Sequence, residues 1–226
     1  MSFSSEWNDR YQENTNMSIW PWSDLVSAVM KNKPKNENFK VLELGCGAGA
    51  NIPFFASLDA DYYAIEGSEE IVKKLHKKYP QYKNNIIVGD FTKKIPNEKF
   101  DLIIDRSSLT CNNQVAINQC LNLCYEQLSN SGKFIGIDWF STKCSDYKKG
   151  KQAEDVWTEF DFEEGWFEGL GRIHFSNKRH LLSLFEKYEI VDMTHKTLSQ
   201  ESQGNNLKMS TWNFVAKKNE ICIAKK

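Results

Sequence analysis

A cofactor can approach a protein backbone closely only where side chains are missing, and Lys40-Val-Leu-Glu-Leu-Gly45-Cys-Gly47-Ala-Gly49-Ala50-Asn51 removes them at alternate positions. An apolar run ends there in an acidic residue and a glycine-dense turn, followed by a helix-like segment. Gly45, Gly47 and Gly49 let the chain bend sharply and present N–H groups to a nucleoside-bearing cofactor at a strand-to-helix junction. Read literally, Gly45-x-Gly47-x-x-Ala50 also satisfies the dinucleotide fingerprint, with Glu66 near the spacing of a ribose-binding acid. Three features shift the balance. Glu43, just before the glycines, would repel a pyrophosphate but can meet a cationic ligand group directly or through water. Asp90-Phe91 follows the apolar Ile86-Ile87-Val88-Gly89, so a carboxylate can accept from an adenine amino group while a ring packs on the base. Asp105-Arg106-Ser107-Ser108 closes the strand that starts at Phe100. All of these fall at the carboxyl ends of predicted parallel strands, where open α/β sheets bind ligands.

From Val41 to Asp138 the chain resembles the class I S-adenosylmethionine-dependent methyltransferases, and looks most like their small-molecule branch. Glu43-Leu-Gly45-Cys-Gly47-Ala-Gly49 is similar to the family's first motif, Tyr63-Ala-Ile-Glu66-Gly67-Ser68 to its ribose motif, and Gly89-Asp90-Phe91 to its adenine motif. Phe100 to Ser107 and Ser131 to Asp138 resemble the two later strands. The resemblance implies S-adenosylmethionine as cofactor. Glu66 would hold both ribose hydroxyls, with Gly67 and Ser68 beside it, and Asp90 and Phe91 would take the adenine. The glycine loop, with Glu43 and Asn51, would take the methionine end. Asp105 and Arg106 would line the boundary between cofactor and acceptor; the other reading of Arg106 is a buried ion pair with Asp105 or a neighbour. Trp7 and Tyr11 resemble residues that close over the cofactor in some members.

The methyl group of a sulfonium is already electrophilic, so transfer needs an oriented acceptor lone pair, exclusion of water and correct spacing. A base is required only where the acceptor must lose a proton. The candidates are His174, in Arg172-Ile-His174-Phe175, and Asp138, at the end of the fifth strand; histidine titrates nearer neutrality. His76, His180 and His195 have no partner pattern for a metal or a nucleophilic triad, and the serines lack a nucleophile elbow.

The elements that must position these groups alternate along the chain. Ser18 to Lys31 has apolar residues at helical spacing, with Ser23 or Asp24 as possible caps. Strand one runs to Leu44 and strand two from Asp61 to Ile65. A helix follows from Ser68 to the Tyr79-Pro80 stop, with Glu69 and Glu70 at its positive end. Ile86–Val88 and Leu102–Asp105 read as strands, Gln114–Leu128 as a helix and Lys133–Asp138 as strand five. Ser176–Tyr188 reads as a helix before a closing antiparallel hairpin, Glu189–Leu198 and Ser210–Lys217. The expected fold class is α/β: a Rossmann-like doubly wound seven-stranded sheet, mostly parallel, with helices on both faces. One domain over residues 1–226 is expected, with 1–38 a helical segment covering the cofactor. Residues 139–176 form an aromatic-rich insertion, read either as a cap over the acceptor pocket or as a helical embellishment packed on the core.

Composition narrows the partners. A chain of 226 residues with 29 Lys+Arg against 30 Asp+Glu carries no basic footprint for a polyanion, so a nucleic-acid substrate is disfavoured. No apolar run approaches the roughly 20 residues that span a bilayer, and the amino terminus lacks a signal-peptide pattern, so a soluble cytoplasmic protein is expected. The six cysteines read as reduced thiols; Cys120 and Cys124 share a helical face without a further ligand to complete a metal site. Seven acidic residues between Glu154 and Glu168, with no basic one, either form a solvated face or repel anionic acceptors in favour of amines and neutral hydroxyl compounds. The expected activity is methyl transfer to an O or N atom of a small molecule such as a sugar, metabolite or natural-product intermediate, by a monomer or homodimer. The alternatives are a dinucleotide-binding oxidoreductase and a non-catalytic binding protein with this fold.

Overall fold

The computed structural model describes residues 17–35, 38–201 and 207–219. Trp7 and Tyr11 lie outside the described residues. Strands β1 (Lys40–Leu44), β2 (Asp61–Glu66), β3 (Ile86–Val88), β4 (Phe100–Arg106) and β5 (Leu128–Phe140) pair in parallel. The central ones are apolar on both faces, as strands buried on both sides must be. Val41, Leu102 and Ile104 pack with one cluster, and Leu42, Leu44 and Ile103 with another.

Helices α1 (Ser23–Asn32), α2 (Ile52–Ser57) and α3 (Glu69–Lys78) bury Leu25, Val29, Ile52, Phe55, Ile71 and Leu75 in the first cluster. Helices α4 (Gln114–Gln127) and α5 (Lys178–Leu184) bury Ile117, Leu121, Leu181 and Leu184 in the second, around Trp139, Phe185 and Phe214. The last two long strands, β9 (Tyr188–Ser199) and β10 (Lys208–Lys218), are antiparallel to each other, and β10 is antiparallel to β5. The seven-stranded order is β3-β2-β1-β4-β5-β10-β9. This is the expected Rossmann-like sheet with an antiparallel closing hairpin.

The insertion is not helical. Its described backbone forms a second, three-stranded sheet of β6 (Lys151–Gln152), β7 (Thr158–Phe160) and β8 (Ile173–His174), antiparallel throughout. Phe162, Phe167, Phe175, Ile173 and Cys144 make a small core of their own, with Phe140, Tyr147, Leu170 and Met209 packed against it. No described helix is long and apolar enough to cross a membrane.

Parallel register brings the functional side chains to one edge. Leu44 pairs with Ile65 and with Asp105, and Asp105 pairs with Gly136. Residues just beyond those positions, Gly45, Glu66, Arg106 and Asp138, therefore emerge together at the carboxyl ends of their strands.

Candidate active site

A cavity of about 920 Å³ opens at that edge. Of the residues expected to bind cofactor or to act as a base, Glu43, Gly45, Gly47, Asn51, Glu66, Gly67, Asp90, Phe91, Arg106 and Asp138 line it.

The glycine turn is built around two buried carboxylates. Gly45, Gly47 and Gly49 have φ of 68°, 50° and 78°, the left-handed region that side chains disfavour. A Cβ on Gly45 would lie 2.3 Å from Ser108 Oγ, so the turn presses against the end of β4, where Ser108 Oγ donates to Gly45 O. Glu66, 4 % exposed, accepts from Gly47 N at 2.8 Å and Ser68 N at 2.9 Å. Burial pushes its carboxyl upward, against the pull of those N–H donors. Glu43 accepts from Tyr62 Oη at 2.6 Å and Asn51 Nδ2 at 2.7 Å. Burial raises it to about 7 in spite of both bonds. Asn51 lines the cavity, and its Oδ1 is buried with no partner among the described residues. Asp90 Oδ1 accepts from Thr92 N and Thr92 Oγ1, and its other oxygen pairs with Lys93 at 3.1 Å.

Three expectations need correction. Ser68 is fully buried and does not line the cavity; it is the N-cap of α3, its Oγ accepting from Ile71 N. Asp105 is also sealed from the cavity. Its Oδ1 accepts from Leu109 N at 2.9 Å and Oδ2 has no partner among the described residues, and burial raises it to about 7. The ion pair of Arg106 is with Asp138, at 3.2 Å, not with Asp105.

His174 is the third. It is fully buried inside the insertion, away from the cavity. Thr158 Oγ1 lies 2.9 Å from its Nδ1 and from both oxygens of Asp155, and His180 Nε2 lies 3.0 Å from its Nε2. With the hydroxyl hydrogen on the Asp155 side, His174 donates to Thr158 and accepts from His180, so both ring nitrogens of neutral His174 are satisfied. Burial, then the neighbouring His180, lowers His174 to about 3, and burial lowers His180 to about 4. Asp155 also accepts from Gln114 N, so the network ties the insertion to the start of α4. His174→Gln is expected to leave methyl-transfer turnover unchanged while costing about 1–3 kcal/mol of stability through the stranded partners. Loss of kcat with the melting temperature intact would return the base role to His174.

The acidic run also turns away. Glu154 pairs with Arg172, Asp161 with Lys151 and Glu164 with Lys149. Glu159 accepts from the backbone N–H groups of Lys148 and Gly150. None of the run's carboxylates lines the cavity.

The far half of the cavity is walled by Trp22, Phe140, Trp166, Phe167, Leu170, Ile173, Leu198 and Met209. Four charged groups converge on it. Arg106 Cζ sits 3.5 Å from the centre of the Trp22 ring, and Asp138 binds Arg106 through one oxygen and Lys196 Nζ, at 3.0 Å, through the other. Lys196 also pairs with Asp24. Asp138 and Ser107 adopt φ of 57° and 59°, uncommon for these residues and clustered at this wall. Ser107 Oγ donates to Asp138 O, and Asp138 N donates to Asn213 Oδ1. Sequence reasoning gave Asp24 as a possible helix cap and Lys196 as an ordinary strand residue. Helix α1 has Trp22 at its N-cap with no side-chain cap bond, leaving Asp24 for Lys196 and Asn213.

Comparison with known proteins agrees with this geometry. Residues 35–187 match the family described as "Methyltransferase domain". The phosphoethanolamine N-methyltransferase of Plasmodium falciparum is 24% identical over 228 residues, covering 87% of this chain and 85% of the relative. An S-adenosylmethionine-dependent methyltransferase from Clostridium acetobutylicum superposes with a TM-score of 0.63 at 14% identity, covering 94% of this chain and 96% of the other. A glycopeptide N-methyltransferase, MtfA, solved with S-adenosyl-L-homocysteine, superposes at 0.60 and 14% identity, covering 87% and 90%. With its motifs at the strand ends, its 3-2-1-4-5 parallel core and a family match over more than half its length, the chain belongs to the class I S-adenosylmethionine-dependent methyltransferases.

Proposed function

We propose that the enzyme transfers a methyl group from S-adenosylmethionine to a nitrogen or oxygen atom of a small molecule. The observation that carries this is the division of one cavity into two unlike halves. A polar half at the glycine turn is lined by Glu43, Asn51, Glu66 and Asp90, while an aromatic half lies under the insertion. These residues fit the cofactor: Glu66 and Asp90 offer acceptors for ribose hydroxyls and an adenine amino group, and the bare turn leaves room for a backbone approach. When bound, S-adenosylmethionine supplies an electrophilic methyl carbon. A volume of about 920 Å³ lies near the upper end of the roughly 300–1,000 Å³ typical of small-molecule sites. That is space for a cofactor and a modest acceptor, not for a polymer.

The protein's own contribution is orientation and exclusion of water. Trp166, Phe167 and Phe140 form an apolar wall, so the insertion acts as a cap as well as packing its own core. His174 is shut away and both oxygens of Asp138 are held by cations, so among the described residues neither candidate base stands uncommitted at the acceptor. That arrangement suits an acceptor arriving with a free lone pair, and the two relatives named for N-methyl transfer favour nitrogen as the atom. Calorimetric titration with S-adenosylmethionine and S-adenosylhomocysteine tests the reading. Saturable binding of both is expected, and failure of both to bind at high micromolar concentration rejects it.

A further inference from the structure

We propose that the acceptor carries an anionic group, a carboxylate or a phosphate, held by Arg106 and Lys196; this rests on the methyl-transfer reading above. The acidic run of the insertion, which alone would favour cationic acceptors, is spent on Arg172, Lys151, Lys149 and backbone N–H groups outside the cavity. The charges that do line the acceptor half are Asp24, Lys196, Asp138 and Arg106, linked in that order. They come from α1, β9, β5 and β4. Bringing two cations from separate elements to a half-buried wall carries a desolvation cost.

Most of the spare hydrogen-bonding capacity of this quartet lies with its donors. Asp138 uses both oxygens, one on Arg106 and the other on Lys196 and Thr211 Oγ1. Asp24 Oδ2 takes Lys196 and Asn213 Nδ2. A guanidinium has five N–H donors, of which the Nη2 contact with Asp138 uses one; Arg106 Nε is sealed within the wall, so the donors left to face the cavity are the remaining ones on the two Nη atoms. Its face lies on Trp22, which fixes the plane and leaves the edge for an in-plane acceptor such as a carboxylate or phosphate oxygen. Lys196 has three N–H donors and two carboxylate partners. A wall whose free donors outnumber its open acceptors, of which Asp24 Oδ1 is the one left among the described residues, favours an anion.

The test uses the full chain saturated with S-adenosylhomocysteine and calorimetry with matched probes. Ethanolamine is compared with phosphoethanolamine, and glycinamide with glycine, so that the two pairs separate phosphate from carboxylate recognition. In one pair the member bearing the anionic group is expected to bind at least about tenfold more tightly than the member lacking it. Arg106→Gln and Lys196→Met should each reduce that preference to within about threefold while S-adenosylhomocysteine affinity is retained. Equal binding within both pairs, no binding by any probe, or a preference that survives both substitutions overturns the proposal and leaves methyl transfer standing. Failure of S-adenosylhomocysteine to bind at the outset removes both.

Discussion

Replacing Glu66 with alanine is expected to abolish measurable binding of S-adenosylmethionine and S-adenosylhomocysteine, and to destabilise the empty protein as well. Glu66 stands at the end of β2, and its two oxygens accept from Gly47 N and Ser68 N. The first bond fixes the glycine turn and the second fixes the residue that caps α3. Removing the carboxylate strips two N–H groups in a site that is almost closed to water, worth about 2–4 kcal/mol of stability. It also removes the acceptor proposed for two ribose hydroxyls, an affinity loss of at least about a hundredfold. Glu66→Gln keeps the side-chain volume and one acceptor, and should fall between wild type and alanine in both respects. Asp90→Ala should weaken binding less, because the Asp90 carboxylate is bonded within its own turn to Thr92 and to the exposed Lys93. Thermal unfolding and calorimetry on the three variants check this. An affinity within about threefold of wild type for Glu66→Ala would remove Glu66 from the cofactor site.

The half of the cavity proposed for the nucleoside could be assembled from the sequence because its residues are local to their strands. Each of its residues stands within a few positions of an apolar run that reads as a parallel strand, so the strand's carboxyl end locates the side chain. Even there, strand-end position does not decide burial. Asp105 and Arg106 are adjacent, yet the alternation of β4 points the first into the core beside Trp139 and the second at the cavity. Ser68 followed the same logic and proved to be a cap.

The acceptor half is not local. Asp24 and Lys196 are 172 positions apart and meet only because β9 closes the sheet beside the start of α1. A single lysine on a long, largely exposed strand carries no mark in the sequence. The insertion failed for another reason. Its strands are two or three residues long, too short for a period of two to register, and they are held by aromatic packing and side-chain bonds to backbone rather than by propensity. His174 follows from that error: once the segment is a sheet with its own core, a histidine at the centre of its last strand faces inward.

Glu43 gives the second large effect, a stability that falls as pH rises. Its carboxyl is wholly buried and titrates at about 7 in the folded protein, against 4.5 for the ordinary group, because burial penalises the charge more than Tyr62 and Asn51 compensate. Between those values the folded state binds more protons than the unfolded state, so unfolding free energy decreases with rising pH. Protonated Glu43 is tolerated below the unfolded value, and the full cost of about 3 kcal/mol is present once pH exceeds the folded one. The buried pair His174 and His180 acts in the opposite sense. Their folded values, about 3 and 4, lie below the ordinary 6.5, so the stability they contribute is present above 6.5 and lost as pH falls. The net profile therefore mixes two slopes, and the comparison that isolates Glu43 is with Glu43→Gln, which preserves shape and leaves both histidines in place. From about pH 4 to pH 8 the variant should gain about 3 kcal/mol relative to wild type by urea unfolding. A constant difference across that range would mean that Glu43 keeps its charge at little cost. On the proposed function the cost has a use: a neutral amide would serve the turn, whereas a carboxylate would present a negative charge to a cationic group of the bound cofactor.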